Sequence, residues 1–135
     1  MEEKNIVREK TYDFALKIIR FYKDLLEKNE FVLSKQLVRC GTSIGANVEE
    51  ALAGQSRKDF LSKMSIASKE ARECNYWLRL MRDGKYIEGE NLQDFIDKSD
   101  ELIKILTSIV KTTSQSRLQF KIKNSQFKIK NVEEL

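Results

Sequence analysis

The 135-residue sequence contains no proline and no histidine, and it has only five glycines, two cysteines and one tryptophan. Proline and glycine supply the backbone angles of tight turns, so their scarcity excludes a many-turned β fold and leaves a few long elements. Without histidine the chain lacks the commonest general base and the commonest metal ligand, which argues against most familiar catalytic arrangements. Long hydrophobic runs are missing too. The start, Met1-Glu2-Glu3-Lys4-Asn5, is polar, and nothing reaches signal-peptide or membrane-span length. A cytoplasmic location with no membrane contact is expected. Cys40 and Cys74 fall at apolar positions of helical patterns and read as buried, reduced side chains rather than a disulfide.

What is present is charge. A full 34% of residues are charged, and 25 basic against 21 acidic side chains give a net +4, which hints at an anionic partner. The length suits one domain with one core. Four segments carry helical periodicity. In the first, Val7, Thr11, Phe14, Ile18, Phe21 and Leu25 form a stripe, with Ala15, Ile19, Tyr22 and Leu26 beside it. The second covers about Phe31 to Ala53, with Leu33, Leu37, Cys40, Ile44, Val48 and Ala51 on one face. Gly41 and Gly45 in its middle imply close backbone approach or a bend, since each glycine costs about 1 kcal/mol against alanine in a helix. Gly54 reads as its C-cap.

Ser56 caps the third segment, with Asp59 three residues on, and a strict heptad runs from Phe60 through Met64, Ala67, Ala71, Cys74 and Leu78 to Met81. Lys85 to Glu90 connects to a fourth segment, from about Asn91 to Thr113, with Leu92, Phe95, Ser99, Leu102, Leu106 and Ile109 inside. Short links between long helices predict an all-α, antiparallel up-down-up-down four-helix bundle over residues 1–113. The remaining 114–135 differ. Gln119-Phe-Lys-Ile-Lys-Asn124 recurs as Gln126-Phe-Lys-Ile-Lys-Asn131, and its period-two alternation predicts a strand or, since paired short strands are marginal in water, a flexible, disordered basic tail.

Few residues offer chemistry. Glu49, Glu50, Glu70 and Glu73 could in principle form a di-metal site, but such sites need Glu-x-x-His pairs; no metal, cofactor or small-molecule substrate is expected. The third helix is more informative. At about 100° per residue, Arg57, Lys58, Lys69, Arg72, Arg79 and Arg82 share an arc of about 140°, while Asp59, Glu70 and Glu73 gather on another beside Ile66 and Trp77. A basic stripe can track a phosphate backbone; it can equally be a solvated face or pair with neighbouring helices. Apolar residues also exceed what one bundle seam can bury. Ile66, Trp77 and Leu80, with Ile19 and Tyr22, are candidates for an intersubunit surface, with Trp77 as its anchor.

The segments Ser43-Ile44-Gly45-Ala46-Asn47-Val48-Glu49-Glu50-Ala51, Gln55-Ser56-Arg57-Lys58-Asp59-Phe60, Met64-Ser65-Ile66-Ala67, Lys69-Glu70-Ala71 and Tyr76-Trp77-Leu78 resemble the four-helix-bundle proteins of the 23S ribosomal RNA intervening-sequence family. The resemblance spans about residues 8–113 and stops before the repeated tail. It implies an antiparallel four-helix bundle, a homopentamer, encoded within bacterial ribosomal RNA genes, and implies no biochemical activity. The fold is also similar to the accessory variability determinant of diversity-generating retroelements, a basic pentamer that binds nucleic acid. That protein is markedly more basic than residues 1–113, whose 20 basic and 19 acidic side chains give +1.

Within the motif, Asn47 and Glu50 lie one turn apart on the second helix, as do Glu70 and Glu73 on the third, and these polar groups are expected to fix the register of the two helices. The expected function is a non-enzymatic homo-oligomer that binds RNA through the basic flank of the third helix and the tail. The alternative is a protein-protein scaffold with no nucleic-acid contact. The charge is localised: residues 114–135 hold five basic and two acidic side chains, +3 of the total, and Arg57 to Asp83 carries another +3.

Overall fold

In the computed structural model, residues 5–87 and 91–133 are described, with side chains described as far as residue 126. Four helices follow one another: α1 (Ile6–Glu27), α2 (Leu33–Leu52), α3 (Arg57–Asp83) and α4 (Leu92–Glu133). Cross-helix contacts fix their directions. Gly41 lies against Ile18 and Gly45 against Thr11, Glu50 pairs with Lys63 and Arg39 with Glu70, and Arg57 reaches Ser116 while Arg82 reaches Gln93. Rising numbers on one helix meet falling numbers on the next each time. The fold is the antiparallel up-down-up-down bundle that the four stripes predicted.

The stripes face one core. Phe14, Ile18, Phe21 and Leu25 of α1, Leu37, Cys40, Ile44 and Val48 of α2, the α3 heptad from Met64 to Met81, and Leu92, Leu102 and Leu106 of α4 are all buried. Burying each large aliphatic chain contributes about 1.5–3 kcal/mol. Gly41 is required by the close approach of α1 and α2, because a Cβ there would sit 2.8 Å from Ile18 Cγ2. Cys40 and Cys74 are both free and buried, and the neighbouring Cys40 thiol, then burial, holds the Cys74 thiol well above its ordinary pKa. They pack as small apolar groups.

The helix ends have specific stops. Asn29 (φ 61°) and Lys85 (φ 50°) take the left-handed conformation just past α1 and α3. The Glu30 N–H then reaches Leu25 O at 2.9 Å and the Tyr86 N–H reaches Met81 O at 3.1 Å, the long return bond of a Schellman cap. Gly54, expected as a C-cap, follows the α2 cap residue Ala53 and donates to Ala51 O at 3.1 Å. At the start of α3, Ser56 Oγ accepts from Asp59 N at 3.0 Å, as its sequence pattern predicted. The expected link over Lys85 to Glu90 lies partly outside the described residues.

One expectation is corrected. The fourth helix does not stop at Thr113 but continues through the repeat to Glu133, 42 residues in all. Period-two alternation selects a strand only where another strand can pair with it, and the described residues form no strand. No proline or glycine follows Gly89 to interrupt the helix. Adding residues to an existing helix avoids the cost of a new nucleus, and Arg, Leu, Gln and Lys are good helix formers. At 1.5 Å per residue α4 spans about 63 Å against about 40 Å for α3, so its last part carries exposed side chains such as Leu118, Phe120 and Ile122.

Candidate nucleic-acid interface

The side of α3 away from α2 packs along α4; of the six sequence-predicted cations Arg57, Arg72, Arg79 and Arg82 lie on that side, while Lys58 and Lys69 lie opposite the buried heptad, at the outward pole of the helix. Towards the α3 C-terminus the positive charge meets carboxylates. Arg82 Nε donates to Asp83 Oδ1 at 2.8 Å and its Nη1 to Gln93 Oε1 at 3.0 Å, and Asp83, Asp100 and Asp97 hold its guanidinium above its ordinary pKa. Arg79 Nε donates to Asn75 Oδ1 at 2.7 Å and lies 5.9 Å from the Tyr76 ring centroid. Asn75 is buried and in turn donates to Ser99 Oγ at 2.8 Å and Asp100 Oδ1 at 3.0 Å.

From the α3 N-terminus to just past its middle the partners are neutral. Arg72 Nη2 donates to Thr107 Oγ1 at 2.9 Å and Arg57 Nη1 to Ser116 Oγ at 2.9 Å. Lys58 and Lys69 are exposed and, among the described residues, take no hydrogen-bond or ion-pair partner. A hydroxyl orients a guanidinium without cancelling its charge. The sequence of α4 sharpens this gradient: Leu92 to Glu101 holds four carboxylates and one lysine, whereas 102–132 holds seven cations and no carboxylate. The basic stripe is thus two half-stripes. Asp83 bonds to Arg82 and its charge also acts on Arg79; Arg57, Lys58, Lys69 and Arg72 have no carboxylate partner among the described residues.

The opposite flank of α3, about 130° round the helix, carries the polar motif and the candidate oligomer residues. Arg39 of α2 bridges Glu70 Oε2 at 3.3 Å and Glu73, whose Oε1 also accepts from Trp77 Nε1 at 3.3 Å. Burial pushes the Glu70 carboxyl up, and the adjacent Glu73 adds to this against the pull of Arg39. Glu50 pairs with Lys63 at 2.8 Å across the same seam. Asn47 instead bonds within α2, to Ser43 O at 2.8 Å and Ser43 Oγ at 3.1 Å. Three members of the motif therefore meet across α2 and α3, and the fourth does not. Arg39 is the residue that sequence reasoning missed; an arginine at the level of two carboxylates on a neighbouring helix was the available signal.

Ile66, Leu80 and Ile19 keep 38%, 43% and 37% of their surface exposed, while Trp77 and Tyr22 are partly buried and Trp77 packs on the core. Ile66 and Leu80 lie on the α2 side of α3. Ile19 lies on the α2 side of α1, the flank on which Tyr12 and Ala15 line a cleft with Thr42, Gly45 and Ala46. The apolar residues therefore flank α2 from both sides. No grouping of three or more potential metal ligands occurs among the described residues, and no helix is long and apolar enough to cross a membrane.

Comparison with known proteins adds the lineage. Residues 3–108 match the model of the family described as 23S rRNA-intervening sequence protein. The chain is similar to a crystal structure from Bacteroides thetaiotaomicron, described as a protein with unknown function from the S23 ribosomal protein family. The two share 48% identity with a TM-score of 0.75, over 79% of this chain and 96% of that one. Among curated proteins none matches.

Proposed function

The chain belongs to the 23S rRNA-intervening sequence protein family, and on that premise we propose that it acts as a non-enzymatic, homo-oligomeric RNA-binding bundle. The observation that carries the reading is the uncompensated half-stripe, where Arg57 and Arg72 bond to hydroxyls and Lys58 and Lys69 stay exposed. RNA supplies closely spaced phosphates, and neutralising each releases a counterion, so such a row of cations binds electrostatically and in a salt-sensitive way. Self-association, a pentamer by family resemblance, would use the other face, where Ile66, Leu80 and Ile19 flank α2.

Fluorescence anisotropy with a structured RNA at rising salt tests the first half. Binding that weakens linearly in log salt is expected, and no binding at low salt would overturn it. Light scattering tests the second half: an oligomer that dissociates on Ile66→Asp is expected, and a monomeric wild type contradicts it. The exposed Ile66 and Leu80 also favour a second reading, a protein-protein scaffold. It is distinguished by an intact oligomer that ignores RNA at every salt concentration.

A further inference from the structure

Where α4 passes the first turn of α3, a cleft of about 580 Å³ opens, within the range that accepts a small ligand. Arg57 lines it from α3, and Arg117, Phe120, Lys121, Asn124 and Ser125 line it from α4. Three of these are cations and none is a carboxylate. The Arg57 guanidinium is held by Ser116 Oγ through Nη1, which leaves its other N–H groups free to donate to a phosphate. Asp59, the nearest carboxylate in sequence, lies about 200° further round α3. Phe120 keeps 59% of its surface exposed, an aromatic ring in water between Arg117 and Lys121.

From this we infer that the cleft is a binding site for one nucleotide of a single-stranded RNA. Arg57, Arg117 and Lys121 take the phosphate, the Phe120 ring stacks on the base, and the Asn124 amide meets the base edge. The combination decides between strand types. Cations alone would hold either a duplex or a single strand, but an exposed ring can stack only on a base that is already unpaired. An amide can both donate to and accept from a base edge. This site deepens the RNA-binding reading above and rests on it. It moves the specific contact from the middle of the α3 flank to the junction of α3 with the repeated segment, whose first copy supplies Phe120, Lys121 and Asn124.

The test uses the full chain and two labelled probes, a short single-stranded oligoribonucleotide of mixed sequence and an RNA duplex of equal length. Phe120→Ala should weaken single-strand binding about tenfold or more while leaving duplex binding unchanged, and Phe120→Trp should restore it. Arg117→Gln with Lys121→Gln should weaken both and lower the single-strand salt slope by roughly 1.4. Unchanged circular dichroism is expected, since these side chains lie outside the core. Equal losses for both probes with Phe120→Ala, or none, would overturn the stacking site and leave the flank reading standing. Failure of the wild type to bind either probe at low salt would overturn both.

Discussion

The two ends of this bundle use polar side chains in opposite ways. At the end where α1 meets α2 and α3 meets α4, polar groups bond to one another. Glu30 is buried there, its Oε1 accepting from Val32 N at 3.0 Å and Leu33 N at 2.9 Å and its Oε2 from Ser34 N at 2.6 Å. Tyr86 OH, from the link after α3, donates to the same carboxylate at 2.9 Å. Further along the α3–α4 seam, Asn75 bonds to Ser99, Asp100 and Arg79, and Arg82 bonds to Gln93. At the other end Arg57 meets only a hydroxyl, as does Arg72 at mid-helix, and α4 runs on with cations and exposed apolar side chains. The first end fixes how the helices meet, because a buried polar group with satisfied partners is costly to misplace. The second end leaves its charge for something outside the chain.

The contrast can be broken most forcefully at Asn75. Asn75→Ala removes partners from Ser99, Asp100 and Arg79 together and should lower stability by about 2 kcal/mol, read as a lower urea midpoint. Glu30→Ala comes next, since it uncaps α2; a loss of about 1 kcal/mol is expected. Its pH dependence is signed. Burial pushes the Glu30 carboxyl up, but the N–H groups of Leu33 and Ser34 and the hydroxyls of Tyr86 and Ser34 outweigh it and leave the pKa below the ordinary value. A carboxyl depressed in the folded state contributes stability above its unfolded pKa and loses it as pH falls through the folded one. The wild type should therefore weaken below about pH 4.3 more steeply than Glu30→Ala, as measured by urea melts across acid pH. At the other end, Lys69→Gln with Arg72→Gln should change stability by less than about 0.5 kcal/mol. Smallest of all, removing residues 114–135 should leave the thermal midpoint and the number of subunits read by light scattering unchanged; loss of assembly would mean that the extension is part of the oligomer.

How much of this was legible in the sequence follows from which forces act locally. Heptad spacing on α3 placed Met64, Ala67, Ala71, Cys74, Leu78 and Met81 inward because burial of one face is a periodic requirement. Ser56 marked the helix start because its cap bond spans three residues. The Glu30 clasp was not legible, since its Tyr86 partner lies 56 residues away. The splitting of the basic stripe was half hidden for the same reason: Asp83 follows Arg82 in the sequence, but the Thr107 partner of Arg72 lies 35 residues away on α4. The helical continuation was not legible, because period-two alternation says nothing of whether a partner strand exists. Phe120, one beat of that alternation, is an exposed ring on the helical backbone.

The most direct measurement is the salt dependence of RNA binding for two double variants of the same flank. Lys69→Gln with Arg72→Gln should lower the slope of log affinity against log salt by roughly 1.5, with affinity falling at every salt concentration. Arg79→Gln with Arg82→Gln should lower the slope less, because Asp83 bonds to Arg82 and its charge also acts on Arg79. Equal losses from the two variants, or a loss from the second pair alone, would contradict the division of the flank.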